Sequence, residues 1–310
     1  MAELAPEKDT ILTLGIFDGV HLGHRYLVSQ LIKHAREQNL LSGVVTFRQH
    51  PQELVSPQTR LPFLTDLNHR IDLLKNEGVD RVFVLSFTPE LARLTAREFV
   101  SLLKRYLKMR GLVLGHDFAL GQNREGDENM LRKLGKEMNF TVNVVRAKLV
   151  DGELASSTTI RKALAAGDMK RVHRLIGRNF GLSGYVVSGA HRGTKLGFPT
   201  ANIQVDPSQA LPPDGVYATW SYIDGQAYPS MTNIGRRPTF DNNERTVEVF
   251  VLDYQGDLYG HEMSIDLVDR VRDEKKFNTI EELIEQIAED TKLGRAILNR
   301  HRVEQAGQIA

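Results

Sequence analysis

Two patterns of apolar and polar positions alternate along residues 10–146. Short, almost continuous apolar runs are typical of buried strands, and between them apolar residues recur every three or four positions, as on one face of a helix. The apolar runs are residues 11–14, 43–47, 81–85, 112–114 and 141–145, and helical patterns cover residues 67–74, 95–107 and 127–138. Strands buried on both faces that alternate with helices predict an α/β domain with a parallel, Rossmann-like sheet.

Polar residues mark where several of these helices begin. Thr95 with Glu98, and Thr279 with Glu282, have the spacing of a capping box, in which each side chain bonds the other's backbone amide. Asp127 stands where a helix cap is expected. These positions predict helix starts at residues 95, 127 and 279.

The helical alternation stops after Gly181. Runs rich in β-branched and aromatic residues then follow one another, separated by turn residues, at 185–187, 216–223, 246–252 and 263–268. Successive strands without helices predict an antiparallel barrel or sandwich, and we expect a mainly β barrel with a terminal helix. Residues 162–178 have a basic helical pattern and link the halves, so we predict domains at 1–180 and 181–310.

The composition narrows the classes of function. The chain has 40 basic and 39 acidic side chains, which favours neither nucleic acid nor an anionic membrane as a partner, and it has no cysteine. That excludes disulfides, thiolate metal sites and a cysteine nucleophile. The acidic N-terminus does not resemble a signal peptide, and no apolar run has membrane-spanning length. We therefore expect a soluble cytoplasmic protein.

The segment at residues 15–24, Gly-Ile-Phe-Asp-Gly-Val-His-Leu-Gly-His, joins the first strand to a helix. Gly15 and Gly19 permit a sharp turn and close approach by a ligand. His21 and His24 stand at the helix start, where backbone amides and the helix dipole favour phosphate. Two other interpretations stay open on pattern alone: surface histidines, or a metal pair whose further ligands are missing locally.

Further candidates also follow predicted strands or begin helices. His50 and Pro51 follow the second strand, and Asp117 follows the fourth; on pattern alone the first two are an ordinary turn and Asp117 is as well explained as a cap. The residues Ser-Ser-Thr-Thr-Ile-Arg at 156–161 can bind phosphate through amides, hydroxyls and the Arg161 fork, although such clusters are more often only helix caps.

The second half carries two candidate segments. Residues 189–202 combine three glycines and basic residues with Pro-Thr-Ala-Asn, and lack the form of a Walker loop. Alone they indicate a flexible turn. Glu248 is a single carboxylate in an apolar strand, which is a plausible general base for an alcohol, although a solvated strand face explains it better from pattern alone.

In their order along the chain, these motifs resemble the bacterial bifunctional riboflavin kinase/FMN adenylyltransferases, also called FAD synthetases, over about residues 10–295. The resemblance implies that the N-terminal half is a nucleotidyltransferase domain and that the histidine motif and the serine-threonine motif bind ATP phosphates. It assigns catalysis there to His21, His24 and Arg161, and flavin binding to His50, Pro51 and Asp117. Nucleotide binding falls to Gly15, Phe17, Asp18, Gly19, Ser157 and Thr158.

The same resemblance implies a riboflavin kinase site in the second half. There Gly193, Lys195 and Gly197 would contact nucleotide, and Thr200 and Asn202 would help bind Mg²⁺. Glu248 would take the proton from the ribityl hydroxyl of riboflavin. Residues 232–240 match a second segment of the kinase pattern.

The implied reactions are phosphorylation of riboflavin by ATP to give FMN, and adenylyl transfer from a second ATP to FMN, which gives FAD and pyrophosphate. Mg²⁺ is expected in both steps because it bridges phosphate oxygens. Departures from the family pattern gather on the flavin side of the first half, at Arg48, Gln49, Ala119 and Leu120. We expect altered FMN affinity there. The alternatives are a monofunctional kinase with a degenerate N-terminal binding module, and a non-catalytic flavin or nucleotide sensor.

Overall fold

A computed structural model of the chain describes residues 5–50, 61–188, 198–236 and 245–309, with side chains to residue 304. The chain divides into two compact units, Met1–Ser157 and Thr158–Ala310. Each is described by itself below.

The first unit is built on a five-stranded parallel sheet. Its strands lie in the order β3-β2-β1-β4-β5. Their bounds are Thr10–Leu14 (β1), Leu41–Phe47 (β2), Arg81–Leu85 (β3), Met109–Gly115 (β4) and Thr141–Val145 (β5). The predicted strands and the parallel α/β class are confirmed. After β2 and β3 on one side of β1, the chain crosses to β4 on the other side. Ligands in open parallel sheets bind at such a reversal, beyond the carboxyl ends of the strands.

Helices cover both faces of this sheet. They are α1 (Leu22–Glu37), α2 (Leu67–Asn76), α3 (Pro89–Ala92), α4 (Ala96–Leu107) and α5 (Glu128–Met138); a short pair of strands, β6 (Leu149–Val150) and β7 (Glu153–Leu154), follows β5. The capping box of Thr95 and Glu98 and the cap at Asp127 are both confirmed. Adjacent residues of β1 point to opposite faces, so Ile11 packs in one core and Leu12 in the other.

The second unit contains a closed six-stranded barrel in the order β10-β11-β12-β9-β8-β13. The strands are β8 (Phe180–Val187), β9 (Ala201–Val205), β10 (Gly215–Ile223), β11 (Gln226–Arg236), β12 (Arg245–Val251) and β13 (Glu262–Asp273). The barrel prediction is confirmed. Strands β9 and β11 were not predicted. For β11 the reason is that its buried side chains include the polar residues Ser230 and Thr232, whose hydroxyls bond Thr219 of β10.

Among the described residues of this unit, three helices accompany the barrel: α6 (Ser157–Ala165), which begins at the last residue of the first unit, α7 (Met169–Ile176) and α8 (Ile280–Ile309). The single helical pattern at 162–178 is therefore two helices, separated by a turn in which Gly167 has a φ of 71° and Asp168 caps α7. Helix α7 packs on β13, where Lys170 Nζ lies 3.5 Å from an Asp269 oxygen. The contacts divide the chain at residue 157, whereas the sequence places the boundary near 180.

An ion pair between a buried aspartate and a partly buried arginine joins the terminal helix to the barrel. Arg272 of β13 donates from Nε to both carboxylate oxygens of Asp290 on α8, at 3.0 and 2.9 Å, and a further guanidinium nitrogen lies 2.8 Å away. The same guanidinium lies 5.7 Å from the ring centre of Phe277. The fork geometry fixes both the angle and the register at which α8 meets β13.

We expect Asp290→Asn to lower the free energy of unfolding of the second unit by about 2 kcal/mol, because it removes the counter-charge of a partly buried guanidinium and weakens the hydrogen bonds between them. Trp220, the single tryptophan of the chain, packs beside Ile297 and Leu298 of α8, so its fluorescence during urea unfolding measures this change.

Asp253→Asn is the matched control, because Asp253 also pairs with an arginine of α8, Arg295, but in solvent. That variant should unfold at the wild-type urea midpoint. Equal midpoints for all three proteins would contradict the role given to the Arg272–Asp290 pair.

Candidate active sites

The first candidate site is the turn that follows β1. Gly15 donates its amide to Val45 O of β2 at 3.1 Å, which keeps the turn against the sheet edge. Phe17 and Val20 have φ of 54° and 35°, and Gly19 has a φ of 82°. Backbone of this kind is costly for a residue with a side chain, so the contacts around the turn must hold it in place.

Asp18 supplies the principal contacts that hold this turn. Its side chain is 2% exposed, and its carboxylate accepts the amides of Leu64 at 2.8 and 3.0 Å and of Thr65 at 3.2 Å. Gly19 donates its amide to Thr65 Oγ1 at 3.1 Å. Asp18, expected to contact nucleotide, therefore fixes the turn to residues 64–65 in this structure.

His21 and His24 lie together at the start of α1. His21 caps the helix: its Nδ1 accepts the His24 amide at 3.3 Å, so the neutral imidazole carries its proton on Nε2. The two rings stack with centres 3.6 Å apart, and Phe17 lies 5.1 Å from the His24 ring. The predicted pair is thus a single stacked unit, fixed by the cap and by the buried aromatic ring.

The pKa of His24 is lowered well below 6.5, chiefly by burial and further by His21 and by the nearby Arg70 guanidinium. Its Nδ1 is buried, and no residue in the described ranges bonds it. A neutral His24 becomes a stronger donor when an anion arrives and favours its protonation.

The serine-threonine motif begins beside this turn. Ser157 Oγ donates to Asp18 O at 2.9 Å, and a Cβ at Gly23 would lie 2.6 Å from Ala155 O, so only glycine fits there. Ser157 therefore joins the first site. Thr158 and Arg161 lie on α6 in the second unit.

The residues after β2 are held by bonds that the sequence did not predict. Gln49 Oε1 accepts the Phe87 amide at 3.2 Å, and the Arg48 amide donates to Leu85 O at 2.9 Å. His50 lies 6.2 Å from the ring of Phe63. Pro51 lies outside the described residues.

Beyond β4, Asp117 is exposed to solvent. Arg124 donates to Asp117 O at 2.9 Å, which stabilises the turn. Leu120 is buried in the core and pairs with Gly126 in an isolated bridge. Leu120 therefore has a packing role in this structure.

The second candidate site lies on the outer face of the barrel. Antiparallel register places Asn202 of β9, Glu248 of β12 and Asn233 of β11 side by side in one row. Their neighbours Val247 and Val249 point into the barrel. Asn202 is buried, and Thr200, at the chain entry to β9, is exposed. Gly193, Lys195 and Gly197 lie outside the described residues.

A cavity of about 470 Å³ opens beside this row, between the barrel face and α8. Phe198, Phe250 and Phe277 contribute aromatic rings to its lining, and Thr200, Asn233 and Glu248 contribute polar groups in or beside the row, called the polar end below. The charged residues of the lining are Arg272, Glu274, Lys275 and Asp290. Such a cavity fits a flat, largely apolar ring with a polar substituent. Asn233 belongs to the segment 232–240 that matched the kinase pattern, although it was not named as a site residue, and Arg272 was missed.

The oxygen donors at the polar end suit a hard divalent cation. The Thr200 hydroxyl and the Asn202 amide oxygen are ligands of the type Mg²⁺ takes, and Mg²⁺ usually completes its shell with water and substrate phosphates. The residues present therefore fit the ion that the sequence implied.

Among the helices that the structure describes, none is long and apolar enough to cross a membrane.

We expect the NMR signal of the His24 ring to stay that of a neutral imidazole as the pH falls through 6.5, because burial opposes its charge. A base whose pKa is lowered by folding binds fewer protons than the unfolded chain, so its contribution to stability decreases as the pH falls below 6.5. His24→Ala assigns the signal. A midpoint at or above 6.5 would contradict this environment.

Two family models match the chain. One, described as FAD synthetase, matches residues 4–159, and the other, described as Riboflavin kinase, matches residues 176–298. The first candidate site lies within the first match, and the barrel site lies within the second.

Curated proteins named bifunctional riboflavin kinase/FMN adenylyltransferase match nearly the full length. The Escherichia coli (strain K12) protein is 38% identical over 92% of each chain, and that of Pseudomonas fluorescens is 38% identical over 95% of each. A crystal structure described as a macrolide-efflux protein from Streptococcus pneumoniae has a TM-score of 0.87 and 31% identity, covering 94% of this chain and 96% of that one. The chain belongs to the family of bifunctional riboflavin kinase/FMN adenylyltransferases.

Proposed function

We propose that the chain makes FAD from riboflavin in two steps, each with one ATP. The barrel site phosphorylates riboflavin to FMN, and the site after β1 transfers the adenylyl group of ATP to FMN. The observation that carries the proposal is the stacked His21–His24 pair at the start of α1, where backbone amides and the helix dipole favour a bound polyphosphate. Matches to both family models favour two activities over a monofunctional kinase or a sensor.

In adenylyl transfer, an FMN phosphate oxygen attacks the α-phosphorus of ATP, and the bond to pyrophosphate breaks. No protein nucleophile is needed, so catalysis comes from positioning and from offsetting charge. We assign the donors to His21 Nε2, His24 and Arg161, and the phosphate contacts to the turn at Gly15, Phe17 and Gly19, and to Ser157 and Thr158. Asp18 fixes this turn through its bonds to residues 64–65.

In the kinase step, the ribityl hydroxyl of riboflavin attacks the γ-phosphorus of ATP and ADP leaves. Glu248 accepts the hydroxyl proton from the polar end of the cavity, while the aromatic rings of its lining hold the flavin ring. Thr200 and Asn202 would hold Mg²⁺, which offsets charge on the phosphates when bound. The nucleotide contacts of Gly193, Lys195 and Gly197 are part of the proposal.

On the flavin side of the first site we assign FMN contacts to His50, Pro51 and Asp117. The departures at Arg48, Gln49, Ala119 and Leu120 should alter FMN affinity and leave ATP affinity unchanged.

The proposal includes a cytoplasmic location, since ATP is the co-substrate, with neither nucleic acid nor membrane as partner. The segment between residues 159 and 176 lies outside both family matches.

Paired variants test whether each site does one step. His24→Ala should lower FAD formation from FMN and ATP by about 10²-fold or more, because it removes a donor to the developing charge, and should leave FMN formation from riboflavin intact. Glu248→Gln should lower FMN formation by about 10²- to 10⁴-fold and leave FAD formation from supplied FMN intact. Chromatography of flavins over time measures both rates.

Each variant is the other's control, since both proteins must be folded to keep one activity. Loss of both activities in either variant would contradict the assignment of separate sites. A wild-type protein that makes FMN but no FAD would support the monofunctional alternative, and one that makes neither would support the sensor.

A further inference from the structure

Arg70 on α2 is a charged residue that neither step described above uses. It is 1% exposed and ranks among the largest fully buried side chains of the chain. One guanidinium nitrogen donates to Ile16 O at 2.8 Å and to Phe47 O at 3.2 Å, and the guanidinium carbon lies 5.0 Å from the ring centre of Phe63. Arg70 therefore joins the turn after β1 to the end of β2.

Among the described residues, the charge of Arg70 has no close counter-ion. Its guanidinium donates to oxygens of Ile16, Thr46 and Phe47, none of which is charged, and its Nε is buried without an acceptor in those same ranges. Burial lowers the pKa of Arg70, and the more distant carboxylates of Asp18 and Asp66 partly oppose this. A guanidinium nonetheless stays charged in proteins. Burying such a charge is costly, so we looked for a role that its presence would serve.

The neighbouring carboxylate suggests what depends on it. Asp18 is buried directly in the turn, with its oxygens turned to the amides of Leu64 and Thr65. Its negative charge would repel any anion that the turn and the stacked histidines bind. Arg70 lies near enough to lower the pKa of His24, so its field reaches the same place.

We infer that Arg70 is a positioning residue of the adenylyltransferase site, which fixes the turn to β2 and offsets the Asp18 charge where the phosphate chain of ATP binds. The identity of that anion rests on the proposed function. The hydrogen bonds and the charge are separate contributions, and they are separable by mutation.

Three substitutions separate them: Arg70→Lys keeps the charge and donors, Arg70→Gln keeps donors only, and Arg70→Met keeps neither. If the charge matters, Lys should retain the KM for ATP in FAD formation from FMN. Gln and Met should both raise that KM about tenfold, with a smaller effect on kcat. The His24 signal should titrate at higher pH in Gln and Met and be unchanged in Lys, which a merely structural role would not produce.

Arg81→Gln is the matched control, because it removes one positive charge from an exposed arginine at the amino end of β3, whereas the site lies beyond the carboxyl ends of the strands, and its KM should equal the wild-type value. FMN formation from riboflavin reports that each variant retains a working second unit. A Gln variant with wild-type KM and an unmoved His24 signal would overturn the inference and leave Arg70 a hydrogen-bonding residue alone.

Pyrophosphate titration followed at the His24 signal measures anion affinity without turnover. If the wild type makes no FAD, the proposed function fails, while weaker pyrophosphate binding in Gln and Met than in Lys still supports the role of Arg70. Equal pyrophosphate affinity in all three variants would contradict that role, whatever the outcome for FAD.

Discussion

The buried carboxylate of Asp18 is the contact on which the first site depends. It accepts amides from residues 64–65, far along the chain, and so holds a turn whose Phe17 and Val20 have unfavourable positive φ values. The turn in turn sets where α1 begins, and the His21 cap sets how the two imidazoles stack. The strained turn therefore depends on the buried Asp18 carboxylate and on the amides that bond it. The position of the cap and of the histidine pair follows from that turn.

The barrel site rests on a different constraint, the register of antiparallel strands. Asn202, Glu248 and Asn233 meet because β9, β12 and β11 pair at matching positions, and the Arg272–Asp290 pair then places α8 over that row. Cavity and polar end are fixed by the same two interactions. A shift of one residue in β12 would turn Glu248 into the barrel and Val247 or Val249 toward the cavity.

The sequence predicted most of the elements where the period of apolar residues is the physical cause of the fold. All five parallel strands are of this kind, whereas the Thr95 capping box and the Asp127 cap were predicted from local bonds between polar side chains and the backbone. It failed at β11, because a hydroxyl network around Thr219 replaces apolar packing inside the barrel. It also missed Arg272 and the anchoring of Gln49 on Phe87, since these contacts depend on pairing between distant segments and leave no local pattern.

Charges buried in each unit follow one logic. Asp18 bonds backbone amides, Asp290 bonds an arginine fork, and Arg70 bonds backbone carbonyls, so each of these ions is hydrogen-bonded in its buried position. An apolar side chain would fill any of these positions at lower desolvation cost. Reactions that move phosphate need fixed charges and dipoles which do not reorganise as the transition state forms. Burial supplies that rigidity, and so the residues that are most costly to bury lie beside the two sites where phosphate chemistry is proposed.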